Sequence, residues 1–198
     1  MTKEQLQSIL AEEKELYLGP GPSREKSMRQ SAHPRFLIWK YLYYFRLCQY
    51  YRALREQKDG GPMQKRLAKF RFTYYNKKRN LSGARAGVEI GLDSVIGVCP
   101  DIWHGGVVIN GTLGERCTLH GNNVIGNKGR GRENETPVIG AGADIGAGAV
   151  IIGGVTLAER CTVGAGAVVT RSCPIPGSVL VGVPAKAIHP DNKESSEA

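Results

Sequence analysis

Four histidines are the place to look for chemistry in this chain, because a histidine near its ordinary pKa can act as general base toward a hydroxyl at neutral pH. His33 and His189 each precede a proline and lie outside the repetitive part of the sequence, which makes them poor candidates. His104 and His120 lie within it. A base histidine works best when a carboxylate holds its second ring nitrogen, fixing the tautomer and stabilising the imidazolium. Glu89 stands fifteen residues before His104. In a three-sided coil of about eighteen residues that separation places the two near adjacent coils on one side. A Glu89–His104 dyad is therefore geometrically plausible. An exposed glutamate and a corner histidine fit the same spacing equally well.

The element that must position these groups announces itself in VIGAGADIGAGAVIIGG, residues 138–154. Counting in sixes from Ile139 gives Ile145, Ile151, Leu157, Val163, Val169, Ile175 and Val181, all branched aliphatics in a chain that is 41% hydrophobic. A period of six matches neither a helix face nor a lone alternating strand. It matches short strands that turn a corner every six residues and stack, as in hexapeptide-repeat solenoids. Small or slim residues stand two before these aliphatics, among them Ala143, Ala149, Cys161 and Ala167. The phase starts at Ile90, Ile96 and Ile102, slips beside His104 near residues 105–109, and resumes at Leu113, Leu119 and Ile125. GNKGRGRENETP, residues 126–137, has no apolar phase and is expected to leave the prism as a loop. The repeats are expected to end near VGVPAKAI, and residues 189–198 to form a disordered polar tail.

The preceding part has a different composition. Residues 35–79 hold thirteen Lys and Arg against Glu56 and Asp59, a balance of +11, so the rest of a chain of net charge +9 carries −2. The same segment holds twelve of the fourteen aromatic residues, whereas 22 of the 26 glycines lie from Gly83 onward. We expect an α-helical region over 1–82 and a coil domain over 83–188. Residues 2–18 read as an amphipathic helix with Leu6, Ile9, Leu10 and Leu16 on its apolar side, ended by GPGPS. Residues 24–34 show no clear pattern. A basic aromatic helix opens at Pro34, breaks at GGP (60–62), and a second follows. Trp39, Tyr43, Phe45 and Leu47 suit packing against the coils, with Lys and Arg snorkelling outward. A contact of these helices with an anionic membrane or polymer is left open.

No run of eighteen apolar residues is present, and the first residues are charged, without a signal-peptide core. The five cysteines are odd in number and form no CxxC pair; Cys117, Cys161 and Cys173 fall on the small-residue phase as compact wall residues. A reducing, cytoplasmic setting is expected. No nucleic-acid recognition motif appears, so no nucleic-acid partner is expected. Two histidines within the repeats, without an HxxxxH pair, do not make a three-histidine zinc centre, and no metal is expected. The Gly126–Gly131 stretch lacks the helix and Lys-Ser/Thr that a nucleotide cradle needs.

The segments IWHGGVVIN, CTLHGNNVIGNKG and PVIGAGADIGAGAVIIGGVTLAERCTVGAGAVVTRSCPIPGSVLVGVPAKAI resemble the hexapeptide-repeat acyltransferases, in particular their serine-acetyltransferase-like branch. The resemblance covers about half of the chain. It implies a left-handed parallel β-helix, a homotrimer with sites between copies, and acetyl-CoA as co-substrate with no tightly bound cofactor. It also implies direct acetyl transfer, with His104 as general base and Glu89 as its carboxylate. By the same matching, Ala147 and Ala165 would meet the pantetheine arm, and Thr170, Arg171 and Lys186 the CoA phosphates. Two positions depart from serine acetyltransferases. Trp103 stands where they have Asp, and Thr136 where they have His before the proline; both changes remove polar contacts to serine. Trp103 would suit stacking on a sugar ring, and IWHGGVVIN is similar to capsular and exopolysaccharide O-acetyltransferases. His120 and Asn122 are candidates for the acceptor cleft. Asn122, Asn123, Asn127 or the Gly105-Gly106 backbone are candidates for donors near the thioester.

On these grounds the expected activity is O-acetylation of a sugar hydroxyl on a polysaccharide or its precursor, with a carbohydrate acceptor as partner. The alternatives are serine O-acetylation in cysteine biosynthesis and a non-catalytic trimeric scaffold.

Overall fold

The computed structural model describes residues 1–188; the expected polar tail and His189 lie outside the described residues. The chain divides into two compact units, one of residues Met1–Leu92 and one beginning at Asp93.

The first unit is helical. Helix α1 (Lys3–Leu18) starts with a capping box between Thr2 and Gln5 and stops at Gly19, whose φ of 66° no side-chain-bearing residue adopts cheaply. Its buried side is Leu6, Glu13, Tyr17 and Leu18, while Leu16, expected inside, is 37% exposed. The cause lies in a distant residue. Glu13 Oε1 accepts hydrogen bonds from Arg46 Nη2 at 2.6 Å and Nε at 3.1 Å, which turns an acidic position inward. Helix α2 (Pro22–Gln30) occupies a stretch with no apolar pattern; proline at its first turn is preset for a helix start, and Met28 is its buried contact. Helix α3 (Pro34–Glu56) buries Phe36, Ile38, Tyr41, Leu42, Phe45, Leu47 and Cys48. Trp39 and Tyr43 are half-buried, and the Trp39 ring meets those of Phe36 and Tyr43 at a tilt. Helix α4 (Pro62–Ala86) packs on α3 through Tyr75, which stacks on Tyr51 with centroids 5.5 Å apart and on Tyr44 at 6.2 Å. The boundary expected at 82–83 falls inside α4, which continues to Ala86. A strand, Val88–Ile90, then carries the exposed Glu89 between buried Val88 and Ile90. Tyr41 Oη accepts the Ile90 N–H at 2.7 Å, tying that strand to α3.

The second unit is a three-walled parallel β-helix. One wall stacks Val107–Ile109, Val124–Gly126, Val150–Ile152 and Val168–Val169. The next stacks Val95–Ile96, Thr112–Leu113, Val138–Ile139 and Thr156–Leu157. The third stacks Asp101–Ile102, Thr118–Leu119, Asp144–Ile145, Thr162–Val163 and Val179–Gly182, with Ala185–Ile188 closing it antiparallel. Each aliphatic sits on its counterpart in the next coil, as Ile102 on Leu119, Leu119 on Ile145 and Ile145 on Val163. All four are fully buried. The core is this aliphatic stack, and neighbouring coils close it with backbone hydrogen bonds.

The six-residue phase holds from Ile139 to Val169 and then breaks. Ile175 is 48% exposed and Val181 39% exposed, although both continue the count. Cys173 bridges Leu157 and Leu180 pairs with Val163, so the wall places come four and then seven residues after the preceding ones. The same pair of steps occurs at the slip beside His104. Ile109, seven residues after Ile102, pairs with Ile125, and Leu113, four residues later, pairs with Ile139. One corner gains a residue and another loses two, and the stacking survives.

Candidate functional site

His104 follows the third-wall strand Asp101–Ile102 and is exposed at the corner where the chain turns toward the first wall. The same corner recurs in each coil, and one line of backbone hydrogen bonds runs down it. Asn122 N–H donates to Gly105 O at 2.9 Å, Gly148 N–H to Gly121 O at 2.9 Å, and Gly166 N–H to Ala147 O at 2.9 Å. One prism edge therefore collects His104, Asn122, Ala147 and Ala165, four of the residues singled out from sequence. Coils rise by about 4.8 Å each, so His104 and Ala165, three coils apart, are separated by roughly 14 Å along the edge.

The edge is held tight by residues without side chains. A Cβ on Gly121, which has φ +114°, would stand 2.7 Å from His104 Cβ. Asn122 takes a left-handed conformation, φ 53°, that asparagine tolerates better than most residues. It stays exposed, with its side-chain oxygen against Gly106. Asn123 is fully buried; its Oδ1 accepts from Gly121 N–H at 3.0 Å and its Nδ2 donates to Gly146 O at 2.7 Å. That amide braces the corner, and its complete burial keeps it away from a thioester on the surface. Asn127 braces its own loop, taking the Gly129 N–H at 3.0 Å and giving to Glu133 O at 3.3 Å.

Beside His104 runs a stack that sequence reasoning missed. Trp103 lies against His120 with ring centroids 4.3 Å apart. Its indole N–H donates to Asp101 Oδ2 at 2.9 Å. His120 Nε2 in turn shares a hydrogen bond of 2.7 Å with Asp144 Oδ1. Register explains the set: Asp101, Thr118 and Asp144 pair in sequence on the third wall, so alternation sends their side chains out beside Trp103 and His120. Sequence alone carries only part of the signal, that Asp101 and Asp144 each stand one before a wall aliphatic; which coil faces which comes from the register. Chemically, the stack offers two carboxylates, one imidazole and one indole face next to the candidate base.

The remaining predicted residues are placed apart from this edge. Thr170 and the exposed Arg171 follow Val168–Val169, at the corner between first and second walls of the last coil. Lys186 is exposed on the terminal strand, paired with Val181. Glu89 is exposed on the strand Val88–Ile90 of the first compact unit, and His104 belongs to the second. Among the described residues, no group of three or more His, Cys, Asp or Glu is arranged to hold a metal ion. No described helix is long and apolar enough to cross a membrane.

Residues 136–171 match the family described as bacterial transferase hexapeptide (six repeats). The serine acetyltransferase of Mycobacterium tuberculosis is 37% identical over 105 residues, covering 52% of this chain and 45% of that protein. The chain spans about half the length of the curated relatives it matches. In three dimensions it is similar to the serine acetyltransferase of Neisseria gonorrhoeae, with a TM-score of 0.67 and 22% identity over 95% of this chain and 68% of that one. It is also similar to a serine acetyltransferase solved in complex with CoA, with a TM-score of 0.67 and 18% identity over 94% and 70%. The fold is thus the expected left-handed parallel β-helix with a helical N-terminal region. In sequence over about half its length, and in fold over most of it, the chain is similar to the hexapeptide-repeat acyltransferases of the serine-acetyltransferase-like branch.

The expectation of a sugar-hydroxyl acceptor is corrected by these relatives, which are serine acetyltransferases. Geometry supplies a physical reason. The Trp103 ring that was to receive a sugar packs at a tilt of 48° against His120 and is anchored to Asp101.

Proposed function

We propose that this chain is a serine O-acetyltransferase that uses acetyl-CoA as donor. The observation that carries the proposal is the prism edge that sets His104 in line with Ala147 and Ala165, on a chain whose sequence relatives are serine acetyltransferases. In this reading the pantetheine arm lies along that edge, past Ala147 and Ala165, with Thr170, Arg171 and Lys186 meeting the CoA phosphates. His104 removes the proton from the serine hydroxyl. The hydroxyl oxygen attacks the thioester carbonyl, the C–S bond breaks, and the CoA thiolate leaves and takes up a proton. Glu89 holds the second ring nitrogen of His104 and stabilises the imidazolium. Backbone N–H groups of Gly105-Gly106 stabilise the tetrahedral oxyanion. Asn122 and His120 line the acceptor side.

Trp103 and Thr136 remove two polar contacts to the amino acid. The carboxylates of Asp101 and Asp144, set out on the same wall, supply negative charge for its ammonium group. The working unit is a homotrimer, and the setting is the cytoplasm. The test is thiol release from acetyl-CoA with serine as the sole acceptor. Saturable, serine-dependent release is expected, and His104→Ala should lower kcat/KM by about 10²–10⁴-fold. Release that does not depend on serine, or that survives the substitution, would overturn the reading.

A further inference from the structure

Helix α4 has two apolar faces, and only one of them is packed. Ala68, Ser82 and the half-buried Phe72 and Tyr75 face inward. On the opposite side Met63 is 78% exposed, Leu67 48%, Phe70 71%, Tyr74 51% and Leu81 52%. At 100° per residue these five fall within about 60° of one another on the helix wheel. They therefore form one outward stripe along α4.

The charges are arranged around that stripe. Helix α4 carries eight Lys and Arg and no Asp or Glu. Arg66 and Lys77 border the stripe on one side, and Arg71, Lys78 and Arg85 on the other. Lys78 Nζ lies 5.6 Å from the centre of the Tyr74 ring, its stem running along the apolar surface. Where α4 meets α3 near this border is a small cavity of about 110 Å³, lined by Leu37 and Leu81 and ringed by the cations Lys40, Lys78 and Arg85, with no acid in its wall.

We propose that the outward face of α4 docks on the surface of an anionic lipid bilayer, with the stripe in the headgroup–acyl boundary and a lipid phosphate in the Lys40–Lys78–Arg85 notch. An apolar centre with cations on both borders is the pattern of a helix lying in the membrane interface. Charge decides against a second copy of the same face as the occupant. Two such faces would set five bordering cations against five with no acid between them, whereas an anionic bilayer neutralises them. The contact is independent of the acetyl-transfer reading.

The test is cosedimentation of the full chain with sucrose-loaded vesicles of phosphatidylcholine alone and of phosphatidylcholine mixed with phosphatidylserine. Binding is expected to the mixed vesicles only, and to fall as salt is raised. Leu67→Ser with Phe70→Ser should reduce binding at least tenfold while leaving the circular dichroism spectrum unchanged, since both residues are exposed. Each of Arg66→Gln and Lys77→Gln should weaken it by about fivefold. Lys40→Gln with Arg85→Gln should weaken it further, and free inorganic phosphate should not compete, because the notch acts only together with the stripe. No binding to mixed vesicles, equal binding to neutral ones, or indifference to the Leu67/Phe70 pair would overturn the proposal. So would a fall in oligomer mass on that double substitution, which would mark the face as a contact between copies, or capture by an acidic peptide with no affinity for vesicles.

Discussion

Gly121 has no room for a side chain because His104 Cβ stands 2.7 Å from where one would begin. The backbone there is also left-handed, φ +114°. Gly121→Ala should therefore push the candidate base out of line and cost activity beyond its cost in stability. A displacement near 1 Å is enough for a loss of about 10²-fold in kcat. Gly177→Ala is the control: φ is +71° but the space around it is open, so it should cost about 1–2 kcal/mol of stability and no activity per folded molecule. Urea denaturation and serine-dependent turnover on both variants separate the two effects.

The His120–Asp144 pair is partly open to water, with side-chain exposures of 29% and 51%. Screening keeps such a pair below about 1 kcal/mol, so Asp144→Asn should barely move the unfolding midpoint. Its effect should appear in recognition, because Asp144 fixes the His120 ring that packs at a tilt against Trp103. A raised serine KM with little change in kcat is the expected pattern. An equal fall in kcat and kcat/KM would instead place His120 in the chemical step.

The opposite case is Glu13 and Arg46, which are 1% and 3% exposed and joined at 2.6 Å. Glu13→Ala would leave the guanidinium buried without its carboxylate, for a loss of about 3–5 kcal/mol. Replacing both partners with apolar residues of similar volume should recover most of that loss. Urea unfolding of the single and double variants tests the coupling.

Burial pushes the Cys48 thiol up to about 11 from its ordinary 9.0, against a smaller downward pull from Arg79. Below the lower value the thiol is neutral in both folded and unfolded chains. Between the two, the unfolded chain ionises and the folded one does not, so stability present below 9.0 is lost as pH rises through about 11. Burial raises Tyr41 as well, which adds to the same trend. The unfolding midpoint should therefore fall across this window, and fall less in Cys48→Ala. The five cysteines are all buried, so a thiol reagent at neutral pH should label the native protein only after unfolding.

Most of the prism was legible because its core repeats one contact. Ile139 through Val169 could be counted, since each corner between them takes six residues. Beyond Val169 counting failed, because stacking is fixed by the neighbouring coil and not by chain length. Cys173 and Leu180 reach their places by short and long corners that leave Ile175 outside. Helix α1 was legible as a helix but not in its inner side, which depends on Arg46, thirty-three residues away. Helix α2 gave no apolar period to read, since Met28 is the one residue it buries. At the site, His104 and the alanine corners were visible as motif matches. The Asp101–Trp103–His120–Asp144 stack was not, because it needs cross-coil register, and its absence left Trp103 looking available to a sugar ring.

The excursion at residues 126–137 shows how the prism tolerates growth. Ile125 pairs with Ile109 and Ile151, and fourteen residues later Ile139 pairs with Leu113 and Leu157, as if nothing had intervened. The loop braces itself through Asn127 and Glu133, and the rungs at its feet are set by coils already in place. Doubling its length would cost only about 0.6 kcal/mol in closure entropy. This bend is therefore a ready splice point, where a tag, a fluorophore-bearing peptide or a whole foreign module could be grafted without shifting a single stacked aliphatic.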